Sequence, residues 1–188
     1  MSTALRVLVL LTGAVWIVLE LRQSANYRPE ATRTDRTSTR VLVLVIAVGV
    51  VVASIALRDI PSANIQPAAP AQWVGVVLLW AGIALRQWSF RTLGRYFTFT
   101  IETSSDQPVI ATGPYRVVRH PSYTGLLAVQ LGIGLLLANW LALLIVAVAS
   151  TAAMVYRIGV EERALEAALG DRYREFAATR KRLVPYVW

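Results

Sequence analysis

The single histidine of this chain, His120, stands in a stretch from Gly113 to Gly125 that also holds Pro114, Tyr115, Arg119, Pro121, Ser122 and Tyr123. Pro121 lacks an N–H and suits the first turn of a helix. His120 then stands at that helix's entry, where unpaired N–H groups and the helix dipole favour an anionic or electron-rich group. Gly125, one turn on, lets another chain or a ligand approach closely. Two readings stand: the wall of a small-molecule pocket, or a plain helix entry with His120 bonded to a loop carbonyl. A second constellation is Arg157 with Glu161 and Glu162. Arg157 and Glu161 are four apart and share a helix face. They read either as a salt bridge at a helix exit or as a site in which the planar guanidinium grips a substrate carboxylate while a glutamate holds a cationic or hydroxylated cofactor. Tyr96, Phe97 and Phe99 form an aromatic cluster that an interfacial belt explains.

Composition limits the setting. Of 188 residues 56% are apolar and 16% charged, against about 45–50% and about 25% in soluble domains. This is the balance of an integral membrane protein. With no cysteine and one histidine, disulfides, thiolate nucleophiles and zinc sites are excluded as readings. The net charge of +8 raises the question of nucleic acid. Its arginines, however, cluster between apolar runs, as in the cytoplasmic loops of membrane proteins, so no nucleic-acid partner is expected.

The elements that must position the two constellations follow from hydropathy. Five spans are expected, in a single all-α membrane domain over 1–188. Span one is Ala4–Leu21. Eighteen residues reach about 27 Å, close to the hydrocarbon thickness. The single Arg6 before its apolar run Val7–Leu19, and Glu20-Leu21-Arg22 after that run, favour a retained span over a cleaved signal. Gln23–Arg40 reads as a flexible surface loop. Span two, Val41–Leu57, is rich in valine but too long for a strand. Pro61, Pro67 and Pro70 exclude a regular helix from Arg58–Gln72, and span three runs over Trp73–Phe90. Between Arg91 and Ser122 a short β-hairpin is expected, with Tyr96–Glu102 pairing with Pro108–Thr112 across Thr103–Gln107. Span four is Tyr123–Leu137. Asn139-Trp140 makes a turn, and span five runs past Tyr156 into a charged helical tail that Gly170 breaks and Asp171 caps again. Residues 1–90 thus form the first three spans and 91–188 a catalytic half.

All nineteen lysines and arginines except Arg6 and Arg58 fall on one side of this arrangement. The positive-inside rule puts that side in the cytoplasm, with the N-terminus outside and both constellations and the tail inside.

Gly113-Pro114-Tyr115, Arg119-His120-Pro121-Ser122-Tyr123 and Gly125 are followed by Arg157, Glu161-Glu162, Leu165, Leu169-Gly170, Tyr173, Phe176 and Val184-Pro185. Together these resemble the isoprenylcysteine carboxyl methyltransferase family, whose wider group includes phospholipid methyltransferases. The likeness covers residues 93–188. It implies a membrane methyltransferase that takes S-adenosylmethionine into a cytosol-facing pocket formed by Val109, Ile110, Ala111, Thr112, Tyr115, His120, Pro121, Ser122, Tyr123 and Glu161. Arg157 falls on the family's substrate-carboxylate position. Thr100 stands near a family glutamine and Phe176 where tyrosine is common. The implied partners are membrane lipids and a lipophilic or prenylated acceptor. A phospholipid amine, a small thiol and an NADPH-dependent sterol or isoprenoid reductase chemistry remain as alternatives, the last because such reductases share an Arg-His-x-x-Tyr-x-Gly pattern. A non-enzymatic scaffold is the third class.

Overall fold

The computed structural model describes residues 2–24, 32–35, 37–98 and 100–188. Phe99 of the aromatic cluster, and residues 25–31 and 36 of the expected flexible loop, lie outside them. Among the described residues, six α-helices carry the fold: α1 (Thr3–Ser24), α2 (Thr37–Asp59), α3 (Ala68–Leu93), α4 (Pro121–Leu136), α5 (Trp140–Leu169) and α6 (Asp171–Ala178). Two short strands, β1 (Thr32–Asp35) and β2 (Ile101–Thr103), accompany them. Among the described residues, three helices are long and apolar enough to cross a membrane: α1, α3 followed through to Tyr96, and α5. The apolar lengths of α2 and α4 are shorter, Thr37–Ala53 and Pro121–Leu136. Large apolar side chains such as Leu10, Leu44, Val77 and Val148 face outward and are mostly exposed. Such a surface suits hydrocarbon rather than water, and the chain is an integral membrane protein.

Helix α3 begins five residues before the expected span, and Pro70 lies inside it. The expectation of no regular helix in Arg58–Gln72 therefore fails at both ends, since α2 also runs on to Asp59. Pro70 falls in the first turn, where the backbone N–H has no helical partner to lose.

The core of the molecule is the α3–α4 pair, and glycines set its spacing. A Cβ on Gly82 would stand 2.5 Å from the carbonyl oxygen of Gly125, and one on Gly132 would stand 2.7 Å from that of Gly75. The two backbones therefore touch, as small residues allow between membrane helices. The close approach that Gly125 permits is made by α3, not by a ligand. Helix α2 packs along α5 through Leu42 on Ala153 and Met154, and through Ala53 on Ala142 and Val146. Helix α1 lies against α3 through Leu5, Val76, Leu79 and Ile83.

The expected hairpin is replaced by a different pairing. Strand β2 runs antiparallel to β1, with Thr32 opposite Thr103 and Asp35 opposite Ile101 across a bulge. Pro108–Thr112 forms no strand. Asn139 accepts from the N–H of Ala142 at 2.9 Å and so caps α5. Gly170, at φ +56°, ends α5 and is itself the N-cap of α6. Asp171 is the first helical residue rather than the cap, and it pairs with Arg174.

Candidate active site

Three elements meet around a cavity of about 860 Å³, counted with its open mouth. One wall is a single face of α5, where Arg157, Glu161, Leu165 and Leu169 recur every four residues. Facing it is the entry of α4, with His120, Ser122 and Tyr123. Tyr173 and Phe176 of α6 close one end. Val109, Ile110 and Tyr115 complete the part drawn from the sequence stretch, and Thr100 and Glu102 stand at the β2 side, where the Thr100 hydroxyl donates to Glu102 at 2.8 Å. Of the residues singled out from the sequence, Ala111, Thr112 and Pro121 are not in this wall. Ala111 packs on Leu169, Tyr173 and Phe176. Thr112 carries the carbonyl that accepts from Tyr115. Pro121 is fully buried in the first turn of α4.

His120 is not bonded to a loop carbonyl through its ring. Its Nε2 lies 3.2 Å from Oε1 of Glu162, and since a carboxylate only accepts, Nε2 is the donor. Its Nδ1 faces Glu161 at 4.0 Å. Glu162 is a buried clamp. It also accepts from Arg119 Nη1 at 2.8 Å and from Arg182 Nε at 2.9 Å. The segment after α6 is stitched to the motif by backbone bonds, from Arg119 N to the Lys181 carbonyl at 2.8 Å and from His120 N to that of Arg182 at 3.0 Å. Thr124 donates to the carbonyl of Leu183 at 2.8 Å. Two adjacent glutamates thus have different work: Glu162 fixes the helix entry, and Glu161 faces the cavity.

Arg157 and Glu161 are related through a third residue. Arg157 Nε donates to the Tyr123 hydroxyl at 2.7 Å, and that hydroxyl donates to Glu161 Oε2 at 2.6 Å. Arg157 Nη1 also donates to Ser38 and Thr39 of α2, at 2.9 and 2.8 Å. The guanidinium is buried and held from both α2 and α4. Burial, and after it the charge of Glu161, pushes the Tyr115 phenol well above its ordinary pKa, so this wall presents a neutral hydroxyl.

A second cavity of about 870 Å³ opens on the other side of Arg157 and Tyr123, which line both. Its walls are mostly apolar: Trp16 of α1, Leu42, Val43 and Ile46 of α2, and Leu126 of α4. An ion pair between a buried arginine and a half-buried glutamate stands in it. Arg86 Nε and Nη2 donate to the two oxygens of Glu20 at 2.5 and 2.9 Å, and Arg86 Nη1 reaches the Ser122 hydroxyl at 3.0 Å. Sequence reading missed Glu20, Arg86, Ser38 and Thr39. An acid near the end of one span and an arginine inside another were the available signal, since a charge in such a segment calls for a partner.

Residues 73–167, half of the chain, match the family model described as the isoprenylcysteine carboxyl methyltransferase (ICMT) family. Among curated proteins, protein-S-isoprenylcysteine O-methyltransferases A and B of Arabidopsis thaliana are 32% and 31% identical over 120 and 115 residues. These alignments cover 61% and 60% of this chain, and the chain spans about 60% of the length of those relatives. The Xenopus laevis enzyme of the same name is 31% identical over 55% of this chain and 36% of its own. A solved eukaryotic intramembrane Ras methyltransferase ICMT superimposes with a TM-score of 0.62 at 23% identity, over 81% of this chain and 54% of that one. Its likeness extends the shared fold beyond the matched residues, and the match itself shows that the chain belongs to the isoprenylcysteine carboxyl methyltransferase family.

Proposed function

We propose that the chain is a membrane methyltransferase that uses S-adenosylmethionine to methylate a lipophilic acceptor, the carboxylate of a prenylcysteine-like or isoprenoid compound. One observation carries the reading: a cavity with a polar side and an apolar side meets a mostly apolar cavity at Arg157 and Tyr123. A transfer between a polar nucleoside and a lipid needs two such chambers with a shared wall. The relatives' printed name supplies the acceptor class.

The residues of the first cavity fit the cofactor. Its apolar side, with Val109, Ile110, Leu165 and Leu169, suits a purine. Its polar side, with Glu161, Tyr115 and Ser122, offers a carboxylate and hydroxyls to ammonium and ribose groups. His120 borders the same space, held in orientation by Glu162. When bound, S-adenosylmethionine supplies a methyl group on a sulfonium, which an ionised carboxylate oxygen takes by direct displacement. The acceptor carboxylate is ionised at neutral pH, so the chain needs no general base. His120 is accordingly a binding residue.

Arg157 holds the acceptor's head. Its fixed positive charge stands at the junction, and an acid entering from the apolar side meets it there. The acceptor's charge is lost as transfer proceeds, so a grip that favoured the ground state alone would slow the reaction. Arg157 divides its hydrogen bonds among Tyr123, Ser38 and Thr39, which moderates that grip while fixing its direction. The walls of α4, α5 and α6 keep the reacting atoms aligned and bulk water out. The proposed topology counts α2 and α4 as spans, so that five crossings leave the first cavity and the C-terminal segment on the cytosolic side, in keeping with the clustering of the arginines.

The test is labelled-methyl transfer by the purified chain, over a panel of prenylcysteines, isoprenoid acids, phospholipid amines and thiols. The expected result is a base-labile methyl ester on a prenylcysteine or isoprenoid acid. Stabilisation against heat by NADPH and not by S-adenosylhomocysteine would replace this reading with a reductase.

A further inference from the structure

One polar atom in the wall of the first cavity is left over. The hydroxyl of Tyr173 is buried and has no hydrogen-bond partner among the described residues. The residue is 4% exposed, and its side chain lines the cavity. Its ring is well fixed, against Phe176 at 5.9 Å between centroids and among Leu169, Val109 and Ala111. A buried hydroxyl without a partner is disfavoured, and such groups in native proteins call for an explanation. Here the fold itself places it: Gly170 at φ +56° turns the chain from α5 into α6 and brings the third residue of the new helix to the cavity. Phenylalanine would fill the same apolar niche without the orphan.

We infer that the Tyr173 hydroxyl is a binding contact for the nucleoside part of the adenosyl cofactor, an inference that rests on the function proposed above. Three observations select the nucleoside over the amino-acid end. The Tyr173 ring belongs to the apolar end of the cavity, with Leu165, Leu169 and Phe176, where a purine face is at home and a zwitterion is not. Burial, followed by the charges of Glu162 and Glu161, pushes the phenol up, so it stays a neutral donor at every working pH. Those same two carboxylates would repel an anionic ligand group beside the hydroxyl, whereas a neutral ring nitrogen or ribose oxygen accepts its hydrogen without that cost.

The test is Tyr173→Phe in the full chain, purified in detergent. Binding of S-adenosylhomocysteine is measured directly, and binding of 5′-methylthioadenosine, which lacks the amino-acid end, by competition. Melting without ligand is recorded alongside. The variant should bind both ligands about 5- to 10-fold more weakly, and it should melt, without ligand, at the wild-type temperature or above. Unchanged affinity for both ligands would overturn the inference. So would weakening confined to S-adenosylhomocysteine, which would move the contact to the amino-acid end. A lower melting temperature of the empty variant would show that the hydroxyl is used within the fold, and would also overturn it. Failure of the wild-type chain to bind S-adenosylhomocysteine would instead strike the proposed function itself.

Discussion

The Nε of Arg157 donates to the hydroxyl of Tyr123 at 2.7 Å, across 34 positions of sequence. Tyr123 passes its own hydrogen to Glu161 at 2.6 Å, so one phenol joins the proposed acceptor cavity to the wall of the proposed cofactor cavity. Tyr123→Phe keeps the ring and removes both bonds. Hydrogen bonds to charged groups are worth about 1.5–3 kcal/mol, and misdirecting a substrate-positioning group costs rate. Turnover in the methyl-transfer assay should fall by about 10- to 100-fold with the fold retained. Turnover equal to wild type would show that the bridge does not position Arg157.

Arg157 itself should separate binding from reaction. It lines both cavities, and in the proposed roles it holds only the acceptor. Arg157→Ala should lower kcat/KM for the acceptor by about 100-fold or more and change the affinity for S-adenosylhomocysteine by less than about threefold. Arg157→Lys should not restore activity, because an ammonium cannot keep Tyr123, Ser38 and Thr39 in the fork geometry seen here. Calorimetry on folded Arg157→Ala protein decides: lost cofactor binding would remove the acceptor role.

What the sequence could and could not reveal divides by range. Long apolar runs marked the helices, because hydrocarbon length and backbone satisfaction leave little choice of structure. Spacing placed Arg157 and Glu161 on one face, correctly, but suggested a direct pair where Tyr123 stands between them. The alternation over Tyr96–Glu102 suggested a strand, but only its end is one, in Ile101–Thr103, and the partner Thr32–Asp35 lies in the loop after α1, so far away that no local rule selects it. Glu20 and Arg86 are 66 residues apart, and no local spacing pairs them. Gly125 was read as room for another chain or a ligand, and the structure fills it with α3, because sequence shows that a residue is small and not what approaches it.

Glu161 and Glu162 are neighbours with opposite predicted phenotypes. Glu162 is mostly buried and holds His120, Arg119 and Arg182. Removing one member of a buried ionic cluster costs about 3–5 kcal/mol, so Glu162→Ala should lower the melting temperature by about 6 °C or more. Glu161 side chain is 28% exposed, and Glu161→Ala should melt within about 2 °C of wild type while weakening S-adenosylhomocysteine. Differential scanning fluorimetry on the two variants tests the division, and equal melting losses would refute it.

The α3–α4 seam predicts the cost of one methyl group. An added Cβ at Gly82 meets backbone atoms, the Gly125 carbonyl oxygen at 2.5 Å and the Val129 nitrogen at 2.8 Å. Neither can swing away as a side-chain tip would. Gly82→Ala should destabilise by about 1–3 kcal/mol. Gly13→Ala in α1, where nothing lies within 4 Å of the new atom, should be neutral or slightly stabilising, since alanine is the better helix former. Melting of the pair in the same detergent checks this, and equal effects would show that the helices do not touch at Gly82.

The Glu20–Arg86 pair ties α1, which lies outside the matched residues 73–167, to the helix that borders both α4 and the apolar cavity. Two opposite outcomes follow from its burial. Glu20→Leu alone leaves the Arg86 guanidinium without its carboxylate in an apolar wall, and that should cost about 3–5 kcal/mol. Replacing both, Glu20→Leu with Arg86→Met, removes the charge along with its partner, and stability should return to within about 1 kcal/mol of wild type or exceed it. Activity should not return with it, because Arg86 Nη1 also reaches the hydroxyl and carbonyl of Ser122 at the entry of α4, beside His120 and the proposed cofactor site. Melting temperature and methyl transfer measured on the single and double variants separate the two effects. Recovery of both together would mean that the pair serves only to hold α1 in place.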